Sequence, residues 1–154
     1  MPSYRSTKTF GHEMGLSACF RQWRADSHCN LLHGYALSVQ MVFEADTLDA
    51  RNWVMDFGSF AQVKVWLATQ FDHTLCVARD DPLKKELLWL GNIGAAHVLV
   101  LPAVGCEAFA EHIYYFVDEW LLGTKQAPRV RLVSVEVREH GANSAIYIGD
   151  RNEA

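Results

Sequence analysis

Two histidines, a cysteine and a tyrosine fall within eight residues of the stretch SHCNLLHGYAL, at His28, Cys29, His33 and Tyr35. A neutral imidazole and a thiolate are both good zinc ligands, and a catalytic zinc usually takes three protein ligands. A thiol that gives up its proton is also a nucleophile or a base. By itself the stretch fits a metal site, a nucleophile with helpers, or the start of a strand whose His33 is packed in the core. Further on, Asp72 precedes His73. A carboxylate in that position can orient and polarise an imidazole for proton transfer; the plainer reading is a helix end with a surface histidine. Glu139 follows Val133, Val135 and Val137 at alternate positions, so strand alternation turns its carboxylate inward. There it can accept two parallel N–H bonds from an amino-pyrimidine edge or a guanidinium. The plainer reading is a twist into solvent and a nearby arginine. Glu107 falls near the N-terminus of a predicted helix, where the dipole favours a carboxylate, and Cys106 beside it reads as a small packed residue.

Positioning these groups requires regular elements. Residues 6–23 read as a long strand or a bent pair interrupted at Gly15. In residues 33–44, His33, Tyr35, Leu37, Val39, Met41 and Phe43 share one face of a strand. A helix starts near Asp56–Ser59, where both residue types can cap, and carries Phe60, Val63, Leu67 and Phe71 at helical spacing. A longer helix runs from about Gly105 to Leu122, with Phe109, Ile113, Phe116 and Trp120 as its stripe and Gly123 as its stop. Between them, Pro82–Leu90 reads as an extra helix and His97–Leu101 as a short strand. Residues 129–139 and 145–148 form a hairpin around a turn at His140–Asn143. The order is that of an α+β domain, with an antiparallel sheet and helices on one face.

The chain has 154 residues, half of them hydrophobic and about a fifth charged, which predicts one globular domain over 1–154. Its net charge of −4 argues against a nucleic-acid binder, which usually shows a basic face. No apolar run is long enough for a membrane helix, and MPSYRSTKTFGHE lacks the apolar core of a signal peptide. Cys19, Cys29, Cys76 and Cys106 form no CxxC pair and read as reduced thiols of a cytoplasmic protein. Residues 79–102, rich in charges and glycines, read as an insertion at the rim with no assigned chemistry.

Taken in order, these pieces resemble the 6-pyruvoyl-tetrahydropterin synthase / 6-carboxytetrahydropterin synthase family over roughly residues 7–149. The carriers are Cys29-Asn-Leu-Leu-His33-Gly34-Tyr35, Asn52-Trp-Val-Met-Asp56-Phe57, Phe71-Asp72-His73, Val104-Gly-Cys-Glu107 and Val135-Glu-Val-Arg-Glu139-His140. The resemblance implies the T-fold: a four-stranded antiparallel sheet in β-β-α-α-β-β order with two helices on one face. It further implies a homo-oligomeric barrel, trimer or hexamer, with the site between subunits. It also implies a carbon–oxygen lyase that acts on dihydroneopterin triphosphate or a related pterin and holds zinc with three histidines. In that scheme Cys29 is the base, Asp72 and His73 complete a proton relay, Glu139 anchors the pterin, and Glu107 and Tyr35 also contact substrate.

The sequence departs from that pattern at the metal. Tyr35 stands where the second histidine of HGH is expected, and Phe20 where the first-strand histidine is expected. A phenol that titrates near pH 10 is a poor zinc ligand at neutral pH. A rearranged zinc site would have to recruit His12 or His28 beside His33, or a thiolate from Cys29 or Cys19. Three functions compete: a pterin-processing enzyme with zinc rearranged or absent, a metal-free T-fold enzyme of aldolase or epimerase type on a related pterin or purine, and a non-catalytic pterin-binding homologue.

Overall fold

The computed structural model describes residues 2–150. Seven strands and three α-helices follow in the order β1 (Tyr4–Phe10), β2 (Leu16–Phe20), β3 (His33–Ala45), α1 (Ala61–Phe71), β4 (Thr74–Ala78), α2 (Lys84–Asn92), β5 (His97–Leu101), α3 (Cys106–Leu122), β6 (Val130–His140) and β7 (Asn143–Ile148). The sheet runs β5-β4-β2-β3-β6-β7, with β1 also paired to β3.

This corrects the four-stranded antiparallel sheet expected from sequence. The predicted 6–23 segment is the bent pair: β1 and β2 lie end to end along β3, broken by a 3₁₀ turn at His12–Met14 and by Gly15, which takes φ 75°. Two further strands join the sheet: β4, which the sequence did not suggest, and β5, the short strand expected at His97–Leu101. Both β4 and β5 run parallel to their neighbours, β4 on β2 and β5 on β4, so the sheet is mixed. All five residues of β4 are buried. A strand covered on both faces loses its polar alternation and reads as a bare apolar run.

The two faces of the sheet are covered differently. Leu37, Val39, Met41 and Phe43 of β3 are fully buried with α1 and α3, as their alternation requires. Phe60, Val63, Leu67 and Phe71 deliver the predicted stripe of α1. Leu75 and Val77 of β4 point the other way and pack under Leu87 of α2. Helices therefore sit on both faces, not one. The buried stripe of α3 keeps the expected Phe109 and Ile113 but departs from the expected line after them. It runs through Cys106, Phe109, Ala110, Ile113, Tyr114, Val117 and Leu121. Phe116 and Trp120 instead turn to the first helix, Phe116 stacked on Trp66 at 3.9 Å between centroids and Trp120 against Phe60 at 5.1 Å.

Two irregularities in β6 set its side chains. Pairing passes from Val42↔Ser134 to Phe43↔Leu132, so Val133 is an extra residue and leaves the core face to Val130, Leu132, Val135 and Val137. The expected place of Val133 on that face is corrected by this bulge. A second shift passes from Arg138↔Ser144 to His140↔Asn143, leaving Glu139 without a partner on β7.

On the sheet's other face, Glu44 is buried between Arg5 and Arg131, both of which donate to its carboxylate. The Arg5 bond, ahead of the Arg131 bond, holds Glu44 below the ordinary glutamate range despite burial. A lowered folded value stabilises the protein above the unfolded pKa of about 4.3, and that stability is lost as pH falls through the folded value. The melting temperature of the wild type is therefore expected to fall more steeply below about pH 4.3 than that of Glu44→Gln. Parallel melting curves over that acid range would show that the pair stabilises nothing.

Candidate active site

Cys29 sits in a short 3₁₀ turn, His28–Asn30, that leads into β3. Its carbonyl accepts the Gln22 N–H at 2.9 Å, so the turn folds back on the end of β2. Gly34 lets β2 and β3 approach closely, since a Cβ there would meet the Ala18 carbonyl oxygen at 2.7 Å. Register then sets Phe20 opposite His33 and Ala18 opposite Tyr35. The three rings Phe20, His33 and Tyr35 stand together, with centroids 5.2, 5.6 and 6.4 Å apart. Because a carbonyl can only accept, the 2.7 Å contact of His33 Nδ1 with the Leu31 oxygen puts the proton on Nδ1 and leaves Nε2 with its lone pair.

Behind these rings lie the start of α3 and the end of β6. Gly105 takes φ 109°, a conformation that suits glycine, and delivers Cys106 into the core. Burial first, then the nearby carboxylates Glu139 and Glu107, push the Cys106 thiol up to about 12. It is a neutral group at physiological pH. Burial, followed by the charges of Glu139, Cys29 and Cys106, raises the Tyr35 phenol as well. Glu139 is half-buried at its bulge and turned toward Cys106, while Glu107 is exposed beside it. Cys29, His33, Tyr35, Cys106 and Glu139 thus form one neighbourhood. One of its members, Cys106, and a residue packed against the group, His140, are not site residues in the sequence reading. Cys106 was read as packing alone, and its contact with Glu139 joins elements 33 residues apart. His140, just past the second bulge, packs against Tyr35 at 5.9 Å between centroids.

Asp72 and His73 stand on the far side of β2 from the ring cluster, on a cavity that Tyr35 also lines. His73 Nδ1 lies 2.6 Å from Asp72 Oδ1, so the carboxylate orients the ring and leaves Nε2 free. His73 adopts φ 51° just after α1, and its side chain is 88% exposed. Thr74 pairs with Ala18, and Ala18 with Tyr35, so the dyad begins about two strand spacings, roughly 10 Å, from Tyr35. His73 borders a cavity of about 570 Å³ lined also by Ser17, Cys19, Gly34, Tyr35 and Leu90. Ser17 and Cys19 alternate with buried Leu16, Ala18 and Phe20, so this cavity opens on the face away from the main core. Among the described residues, no hydrogen bond joins Asp72 or His73 to Cys29 within one chain.

The metal candidates do not converge within one chain. His12 contacts the Ala36 carbonyl through Nδ1 at 2.5 Å, and His28 is exposed on its turn. Among the described residues no group of three or more His, Cys, Asp or Glu side chains is placed to hold an ion. The positions flanking His33 are a phenylalanine, which has no lone pair, and a phenol held above its ordinary range. This donor set does not fit a three-imidazole zinc site.

The family model for 6-pyruvoyl tetrahydropterin synthase matches residues 10–150, and the chain belongs to that family. A 6-carboxy-5,6,7,8-tetrahydropterin synthase of Aquifex aeolicus is 26% identical over 136 residues, which span 86% of this chain and 83% of the relative. Among solved structures, an uncharacterized protein of Wolinella succinogenes superposes with TM-score 0.81 at 19% identity, covering 97% of this chain and all of that one. A 6-pyruvoyltetrahydropterin synthase of Plasmodium vivax superposes with TM-score 0.66 at 12% identity, over 96% of this chain and 98% of its own. No helix among the described residues is long and apolar enough to cross a membrane.

Proposed function

We propose that this protein is a pterin-processing lyase acting on dihydroneopterin triphosphate or a closely related pterin. The observation that carries the reading is the placement of Glu139, half-buried and facing Cys106, in the same neighbourhood as Cys29 and Tyr35. Its carboxylate is positioned to accept the two N–H groups of a 2-amino-pyrimidinone edge. Glu107 at the rim and Tyr35 are further substrate contacts. Cys29 as thiolate takes a proton from the substrate side chain, and the leaving oxygen departs with the electron pair of its C–O bond. His73, oriented by Asp72, exchanges protons with the side-chain hydroxyls. The exposure of His73 and its distance from Tyr35 favour a homo-oligomer, trimer or hexamer, in which one chain presents the dyad to the next chain's Cys29. The protein works in the cytoplasm.

Phe20 and Tyr35 in place of two zinc histidines favour a second reading, a metal-free reaction of aldolase or epimerase type in the same pocket. Tyr35, held protonated, would then supply the hydrogen bond that polarises a substrate hydroxyl. One experiment separates the readings. Purified protein is incubated with dihydroneopterin triphosphate and with dihydroneopterin, and the products are analysed. Triphosphate release with formation of a new C=O group supports the lyase, whereas stereochemical inversion or side-chain cleavage of dihydroneopterin supports the second reading. Binding of pterin with neither outcome identifies a non-catalytic homologue, and absence of any binding removes the pterin assignment.

A further inference from the structure

The segment between β4 and α3 carries no chemistry of its own, yet its first residues grip the loop that carries Cys29. Arg21, just past β2, places Nε and Nη2 on the two oxygens of Asp81 at 2.8 and 2.9 Å. The pair is buried, with side-chain exposures of 16% and 1%. Asp81 is itself fixed, since its Oδ1 also accepts the Leu83 N–H at 2.8 Å in the turn before α2. The remaining Arg21 nitrogen, Nη1, donates to the carbonyl of Asn30 at 3.0 Å, one residue past Cys29. Gln22 completes the frame. Its backbone N–H holds the Cys29 carbonyl, and its side chain donates to the Val104 oxygen at 2.7 Å, at the entrance to α3. Two more residues of the same loop reach the same turn: Trp23 and Arg24 both donate to Asp80, at 3.2 and 3.0 Å.

We propose that Arg21 and Asp81 are positioning residues that fix Cys29 relative to Tyr35 and Glu139, and that this is the task of the β4–α2 turn. A bidentate guanidinium–carboxylate pair fixes direction as well as distance. Arg21 spends its third donor on the backbone next to the reactive thiol, so the carboxylate orients the cysteine turn through one rigid plane. Burial makes the arrangement all-or-none, because a lone buried charge costs far more than the pair. The proposal rests on the reading of Cys29 as the reactive thiol, and its test uses thiol chemistry rather than turnover, so the two fail separately.

Iodoacetamide alkylation of each cysteine is followed across a pH series by peptide mass spectrometry in the wild type, Asp81→Asn, Asp81→Glu and Arg21→Lys. Cys76 and Cys106, buried thiols pushed up to about 12, report general loosening. In Asp81→Asn and Arg21→Lys the Cys29 rate is expected to rise about tenfold, as a locally opened loop exposes it, while Cys76 and Cys106 stay protected. Asp81→Glu, which keeps the carboxylate, is expected to restore much of the wild-type profile. An unchanged Cys29 profile in both disruptive variants overturns the proposal. So does a Cys29 rate that rises only in step with Cys76, because the pair would then hold the fold and not the thiol. Should Asp81→Asn loosen the whole chain, Arg21→Lys, which keeps the positive charge and loses only the fork, decides between the same two outcomes.

Discussion

Glu139→Gln is expected to weaken pterin binding by about two orders of magnitude while the protein stays folded. The carboxylate can accept both N–H groups of an amino-pyrimidinone edge at once. The amide keeps one acceptor and turns an N–H donor against the other N–H. Hydrogen bonds to a charged group contribute about 1.5–3 kcal/mol each. Losing one, together with the opposed donors, removes about 3 kcal/mol, which is roughly a hundredfold in Kd. The side chain keeps its size, so the contact with Cys106 and the bulge remain, and the melting temperature is expected to stay close to wild type. Fluorescence titration with dihydroneopterin measures the effect. Glu136→Gln is the control, since Glu136 is occupied with Arg138 and Ser144. Equal affinity in wild type and Glu139→Gln would remove Glu139 from the substrate contacts and with it the main support for the pterin reading.

The double substitution Phe20→His with Tyr35→His is expected to create tight zinc binding, at least about a hundredfold tighter than wild type, at one ion per chain. The argument is geometric. Imidazole nitrogens bind zinc at about 2.0–2.1 Å with tetrahedral angles, which puts three ring centroids roughly 5 Å from one another. The Phe20, His33 and Tyr35 centroids already lie 5.2, 5.6 and 6.4 Å apart. His33 keeps its Nε2 lone pair because Leu31 fixes the proton on Nδ1, the kind of backing that zinc histidines need. Without metal the variant should be less stable, since Phe20 is 1% exposed and its replacement puts a polar ring into the core. Metal analysis after dialysis and competition with a chelator read the affinity, and melting with and without zinc reads the linkage. If the variant gains neither affinity nor zinc-dependent stability, the three positions do not define a vestigial metal triangle.

Much of this was legible in the sequence, and the misses have definite causes. The face of β3 was readable because a long strand buried on one side keeps its period of two, and His33 with Tyr35 simply extends that face. The substitution at Phe20 was readable only through the family resemblance, whose first-strand motif falls on Leu16–Phe20; its register opposite His33 came from the structure. Val133 was misplaced because a bulge adds one residue without any signal in an apolar run. The strand β4 was overlooked because TLCVA follows a helix directly and is buried on both sides. Its parallel pairing depends on residues 97–101, which local patterns do not report. In α3, Phe109 and Ile113 hold the predicted stripe, but Val117 and Leu121 continue it, because Phe116 and Trp120, the largest apolar residues there, serve the contact with the first helix instead. Within the site, Glu139 was predicted to face inward, and it is half-buried beside Cys106. The separation of Asp72–His73 from Cys29 was visible only in three dimensions.

The central position of β3 has a consequence for how the chain comes into being. One edge of β3 is satisfied early, because β1 and β2 precede it and can pair as soon as residue 45 is made. The other edge waits for β6, whose Val130 pairs with Ala45 and whose Arg138 pairs with Ser38. During synthesis the longest strand among the described residues therefore has one side of its backbone unclosed until residues 130–138 have been made. Sheet closure across so large a sequence separation is slow, and an open strand edge is where nascent chains associate wrongly. Glu44 lies on this strand's polar face with Arg5 of β1 beside it, and charge at that position discourages edge-to-edge pairing while the seam stands open.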